Sequence, residues 1–95
     1  MKYMVVKWKH SFVDEPELLY SELDEQRWER RKVEVFADGH GDYADADKST
    51  GSTRLGLVPV PELSEIAAGK QFEPMEITSD EFEKVWEQCV AALKR

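Results

Sequence analysis

The chain has little cysteine. Cys89 is the single one among 95 residues. One thiol cannot form an intramolecular disulfide, so packing alone must hold the fold, and such usage fits a reducing compartment. Long apolar runs are also missing. Lys7 and Lys9 interrupt the opening "MKYMVVKWKH" before it reaches the length of a signal-peptide core. Nothing approaches the roughly 20 apolar residues of a membrane span. A cytoplasmic protein is expected. No phosphate cradle of the G-x-x-x-x-G-K type occurs, and the glycines at 39, 41, 51 and 56 read as turns. No serine sits in a G-x-S-x-G elbow. Basic charge is scarce too: 13 Lys and Arg against 20 Asp and Glu leave a net charge of −7. Nucleic acid demands a basic face and anionic membrane attracts one, so neither is an expected partner. A domain this acidic steers toward basic proteins.

What is present suffices for one α+β domain spanning 1–95. Met4, Val6 and Trp8 alternate with Tyr3, Val5, Lys7 and Lys9, which predicts a strand near 2–9. Pro16 punctuates, and Glu17 to Leu23 reads as a second strand, with Leu19 and Leu23 on one side and Leu18 and Tyr20 on the other. "DEQRWE" reads as a turn. Arg31 to Phe36 is a third strand, and Asp38-Gly39 is a hairpin signal, since glycine takes positive φ without a Cβ clash. A fourth strand is expected around Tyr43 and a short fifth, at an edge, from Thr53 to Val58. "VPVPELSEIAAGK" predicts a short helix begun by Pro61 and stopped by Gly69, with Leu63, Ile66 and Ala67 on one face. "QFEPMEI" is extended and broken by Pro74.

The last segment is the most periodic. Thr78 and Glu81 form a capping box. Phe82, Val85, Trp86, Cys89, Val90 and Leu93 recur on one helical stripe. Asp80, Glu81 and Glu83 suit the positive N-terminal end, and Lys94 and Arg95 the negative C-terminal end. A helix over 79–93 follows. Strands first and helices last predict a four- to five-stranded antiparallel sheet, with a short helix and a C-terminal amphipathic helix packed on one face. Met4, Val6, Trp8, Val33 and Val35 are the expected floor for that helix. Tyr3, Tyr20 and Phe36 would then lie among charges on the open face, where a partner could bind.

The residues carry little sign of chemistry. Cys89 lies within the apolar stripe, where a free cysteine is usually a small buried hydrophobe. Asp38, His40 and Asp42 alternate in "DGHGD", but turns collect Asp and Gly for backbone reasons alone. "DADKSTG" places Asp45, Asp47 and Ser49 like a calcium loop, yet Thr50 stands where the turn glycine belongs and Gly56 where the bidentate Glu belongs. One Cys and two His are too few for zinc. No metal, no cofactor and no catalytic residue is expected.

The stretch "DEPELLYSELDEQRWERRKVEVF" is the most distinctive. Asp14, Glu15 and Glu17 stand at the front of the second strand and Glu22, Asp24 and Glu25 at its end, so an extended strand sets two acidic clusters at opposite ends of a hairpin edge. Tyr20 and Trp28 are aromatics of the kind that anchor interfaces. These eight residues are the candidate contact surface for a basic partner. Against this, Arg27, Arg30, Arg31 and Lys32 are close enough to neutralise the acids internally, in pairs worth little each.

"KYMVVKWKHSFVDEPELLYSELDEQRWERRKVEVFADG", with "PVPELSEI" and "ITSDEFEKVWE", resembles a family of small acidic bacterial proteins, through a pattern W-x-H-x-F-x-D-E-P, then Y-S-E-x-D and R-K-V-E. The resemblance covers most of the chain. It implies no established activity, so no catalytic residue carries over. In build alone, such proteins are similar to immunity proteins, which neutralise a toxin by covering it. The expected function is therefore a non-enzymatic acidic binding module, an immunity-like inhibitor of a basic toxin such as a nuclease. The alternatives are a small enzyme using carboxylates with His40, and a self-associating accessory domain.

Overall fold

The computed structural model describes residues 1–94; Arg95, assigned above to the helix C-terminal end, lies outside the described residues. The elements run β1 (Lys2–Trp8), β2 (Leu18–Leu23), β3 (Glu29–Val35), β4 (Gly41–Ala44), α1 (Leu63–Ala67), β5 (Phe72–Ile77) and α2 (Ser79–Leu93). The strands form one antiparallel sheet in the order β4-β3-β2-β1-β5. This is the expected α+β architecture with five strands and a C-terminal helix.

The fifth strand is not the expected one. Residues 53–58 form no strand; they belong to a long loop that crosses the sheet, where the Gly56 N–H donates to Glu29 Oε1 at 2.7 Å and Val60 N–H to the Arg27 carbonyl at 2.8 Å. The true edge strand is β5, which pairs with β1 despite Pro74. Geometry explains the tolerance. Lys9 N–H donates to the Gln71 carbonyl, and counting along the ladder from that bond puts Pro74 opposite Val6 in a non-hydrogen-bonded pair. The donor that proline lacks is thus one that would have pointed away from the sheet.

Register decides the two faces. Val5 pairs with Tyr20, Tyr20 with Val33 and Val33 with Tyr43, so these four share one face. α2 covers it: Phe82 packs with Val5, Ile77, Tyr3 and Tyr20, and Cys89 with Val33 and Tyr43. On the opposite face Met4, Val6 and Leu23 pack under Leu63 and Ile66 of α1, with Val60 and Phe72. The floor expected for α2 is corrected accordingly. Val33 and Val35 do lie beneath it, but Met4, Val6 and Trp8 belong to the other side, Trp8 meeting Phe72 there at 6.2 Å between centroids. Tyr3 and Tyr20 are half-buried under the helix rather than displayed on an open face. Alternation within a strand shows which residues share a side; only pairing between strands shows which sides join.

α2 begins as expected. Thr78 accepts the Glu81 N–H and Glu81 reaches back to the Thr78 N–H, satisfying two donors that a helix start leaves free. Gly41 lets its last turns approach β4, since a Cβ there would stand 3.2 Å from Cys89 Sγ.

Candidate functional site

The β1–β2 connection is a pinned loop. Trp8 N–H donates to the Glu17 carbonyl (2.9 Å), Glu17 N–H to the Val35 carbonyl (2.8 Å) and Lys9 N–H to the Gln71 carbonyl (2.7 Å), so both ends of the loop are tied to the sheet. Inside it, the Phe12 N–H donates to His10 Nδ1 at 2.9 Å, and His10 Nε2 lies 2.8 Å from the Pro16 carbonyl. A carbonyl only accepts, so Nε2 is the donor and Nδ1 the acceptor, and the two bonds fix the ring's orientation in the loop. The ring is stacked on Phe12, 5.5 Å between centroids, and meets Trp8 at a tilt, 4.3 Å away. Pro16 is buried beneath.

This frame holds Phe12 and Val13 out in solvent, at 63% and 85% exposure. Asp14, Glu15 and Glu17 beside them are exposed, and among the described residues none makes an ion pair. The nearest lysine in sequence, Lys9, is paired with Glu73 at 3.0 Å. A shallow recess of about 490 Å³ opens between Trp8, Phe12 and Asp14. Chemically, the tip offers apolar contact area ringed by free carboxylates.

The other acidic cluster is built differently. β2 is the central strand of the sheet, not an edge. Glu22 sits in the helix–sheet interface at 7% exposure. The Arg31 guanidinium donates to it twice, at 2.8 and 2.7 Å, and also donates to Glu83 of α2. The same guanidinium lies 5.0 Å from the ring centroids of both Phe82 and Trp86. Arg31 thus fastens α2 to the sheet, and its hydrogen bonds hold the Glu22 carboxyl below the usual glutamate range. Burial pushes the neighbouring Tyr3 hydroxyl up, with Glu22 adding to the effect. Tyr20 is likewise raised by burial under α2.

Asp24 is used locally. Its Oδ1 accepts the Gln26 and Trp28 N–H groups at 3.0 Å each, and Arg30 approaches to 3.6 Å. It shapes a turn in which Arg27 takes φ 67°, an uncommon conformation for a residue with a Cβ. The Arg27 side chain secures that turn by donating to the Val60 and Pro61 carbonyls at 2.8 and 2.7 Å. Glu25 is exposed, with no ion pair among the described residues, and Trp28 is 40% exposed.

Of the eight candidate residues, then, Asp14, Glu15 and Glu17 stand free at one end of β2, and Glu25 and Trp28 at the other. Glu22, Asp24 and Tyr20 are engaged within the fold. Sequence reasoning passed over Trp8, His10, Phe12 and Val13 as a site. The i, i+2, i+4 spacing of Trp8, His10 and Phe12 was the available signal, but it needed the loop to fold back before the three rings could meet. Glu29 was also passed over. It is buried, accepting from Ser21 Oγ (2.8 Å) and the Gly56 N–H and lying 3.4 Å from Lys32 Nζ, and so ties the long loop to the sheet.

His40 sits on the β3–β4 turn, half-exposed, with Nδ1 against Asp38 and Nε2 3.9 Å from Asp42; its ring is stacked flat on Phe36 at 4.4 Å. Both acids have local duties, Asp38 to the His40 N–H and Asp42 to the Thr50 hydroxyl. Cys89 is buried with its thiol pushed up by burial and by Asp42, the opposite of what an activated nucleophile needs. Among the described residues no three His, Cys, Asp or Glu groups converge as a metal site. No helix there is long and apolar enough to cross a membrane.

The family model for a domain of unknown function, DUF6881, matches residues 2–91, and the chain belongs to that family. No curated protein and no solved structure matches it.

Proposed function

We propose that this domain is a non-enzymatic protein-binding module whose partner is basic, acting as an immunity-like inhibitor of a toxin such as a nuclease. The observation that carries the reading is the state of the tip carboxylates. Asp14, Glu15 and Glu17 are exposed and make no ion pair among the described residues, in a chain of net charge −7. Free carboxylates on a protrusion tied to the sheet at both ends accelerate encounter with a cationic surface and imitate the phosphates that a nuclease binds. Glu25 and Trp28 lie about 20 Å away, the length of a six-residue strand, and could serve a broad partner at its far rim.

What speaks for a foreign partner over self-association by strand pairing is the guarding of both sheet edges. β5 carries Pro74 with its missing donor outward. Beside β4, the following loop folds back through an Ala44–Ser49 bridge, and Thr50 N–H donates to the Tyr43 carbonyl at 2.9 Å.

The test is retention of proteins from the native lysate on the tagged domain, washed at low and high salt, for the wild type and for the variant Asp14→Lys/Glu15→Lys/Glu17→Lys. A basic protein held at low salt by the wild type and lost from the variant is expected, and co-expression should then suppress that protein's toxicity. Retention indifferent to the charge reversal would refute the reading. Binding without suppression would keep the module and remove the immunity role.

A further inference from the structure

Resting on that reading, we propose that Phe12 and Val13 are the anchor of the interface, inserting into an apolar socket that basic groups surround on the partner protein. The two side chains are among the most exposed large apolar groups described, at 63% and 85%. Unlike the comparably exposed Leu57 and Val58, at 90% and 68%, they are presented by a frame. The Leu57–Val58 pair lies on the long loop between Gly56 and Pro59. Phe12 stacks on His10, Trp8 meets both rings at a tilt, and the Phe12 N–H is bonded to His10. A side chain already fixed in place loses little conformational entropy on binding, and aromatic anchors in desolvated sockets dominate interface energetics.

Charge selects the class of partner. Asp14 follows Val13 directly and Glu15 follows Asp14, so any socket that takes Val13 must accept two carboxylates at its rim. A basic rim does so; an acidic one is repelled. The same carboxylates argue against insertion into an anionic bilayer, where polybasic rather than acidic flanks are attracted. The acids would set the encounter rate and the salt dependence, and the anchor would set the lifetime of the complex.

Two synthetic peptides of equal length and charge separate these roles, one alternating Lys with Leu and one alternating Lys with Ser. Binding is followed by amide and indole chemical shifts of the full domain. The Lys–Leu peptide is expected to shift Trp8, Phe12, Val13 and Asp14 and to bind about tenfold more tightly than the Lys–Ser peptide. Phe12→Ser should abolish that preference while leaving Lys–Ser binding and all remote resonances unchanged, the latter confirming that the variant is folded. A preference that survives in Phe12→Ser would overturn the anchor, as would shifts centred on Leu57 and Val58, or co-flotation of the wild type with phosphatidylglycerol vesicles. The underlying reading fails separately: Asp14→Lys/Glu15→Lys/Glu17→Lys would then bind both peptides as well as the wild type does. No binding of either peptide to the wild type would overturn both.

Discussion

At the β1–β2 end of the sheet Asp14, Glu15 and Glu17 are exposed without ion pairs among the described residues, whereas at the β2–β3 end Glu22 and Asp24 are taken up by Arg31, Arg30 and the turn amides. The two clusters look alike in composition. They differ in what lies across the ladder. Glu22 faces Arg31 in register on β3, and the α2 helix then closes over the pair. Asp14 and Glu15 lie in the loop between β1 and β2, and Glu17 bonds to Trp8 and Val35 through its backbone alone; among the described residues no guanidinium reaches any of the three side chains. Glu22 becomes part of the fold because a cross-strand guanidinium meets it under α2, and the tip acids have no such partner among the described residues.

The largest difference between the ends should appear in stability. Arg31→Ala removes both charge-assisted bonds to a buried carboxylate, together with the packing of the guanidinium on Phe82 and Trp86. A loss of about 3 kcal/mol in unfolding free energy is expected from denaturant titration. Glu83→Gln touches the exposed side of the same cluster, its side chain 42% accessible, and should cost under about 1 kcal/mol. Equal costs for the two would show that the buried Glu22 contact and the ring packing add nothing to what the Glu83 contact supplies.

Acid should erode the same end. The folded pKa of Glu22 lies below its ordinary value of 4.5, so its contribution is complete above that value and is lost as pH falls through the lowered one. Thermal melts from about pH 5 to about pH 2 should show the gap between wild type and Glu22→Gln closing as the carboxyl protonates. A gap that widens in acid would contradict the sign.

At the tip the expected effect on stability is the smallest. Asp14→Lys/Glu15→Lys/Glu17→Lys should change unfolding free energy by no more than about 0.5 kcal/mol per site, because no ion pair to these side chains is broken among the described residues. A substantial loss would place these acids with Glu22 as part of the fold.

Much of this was legible beforehand. The capping box at Thr78 and Glu81, the stripe from Phe82 to Val90 and the turn at Asp38-Gly39 all depend on neighbours within a few residues, and all appear where the spacing puts them. The failures share one cause. That Met4 and Val5 serve different helices, that 72–77 rather than 53–58 completes the sheet, and that Glu22 is buried while Glu17 is not, all follow from pairing between distant segments. Pro74 counted against a strand because its missing N–H matters only in one of the two ladder positions, and position is a property of register. Phe12 escaped notice because its support, the ring of His10, is set by a bond to the Pro16 carbonyl that forms only when the loop closes.

The most direct measurement is the association rate of the domain with the basic partner proposed above, once the lysate test has isolated one, for the wild type and for Asp14→Lys/Glu15→Lys/Glu17→Lys, across a range of ionic strength. The rate for the variant should fall by about 10- to 100-fold at low salt and approach that of the wild type as salt rises. Identical rates at every ionic strength would contradict the assignment of the β1–β2 tip as the docking end.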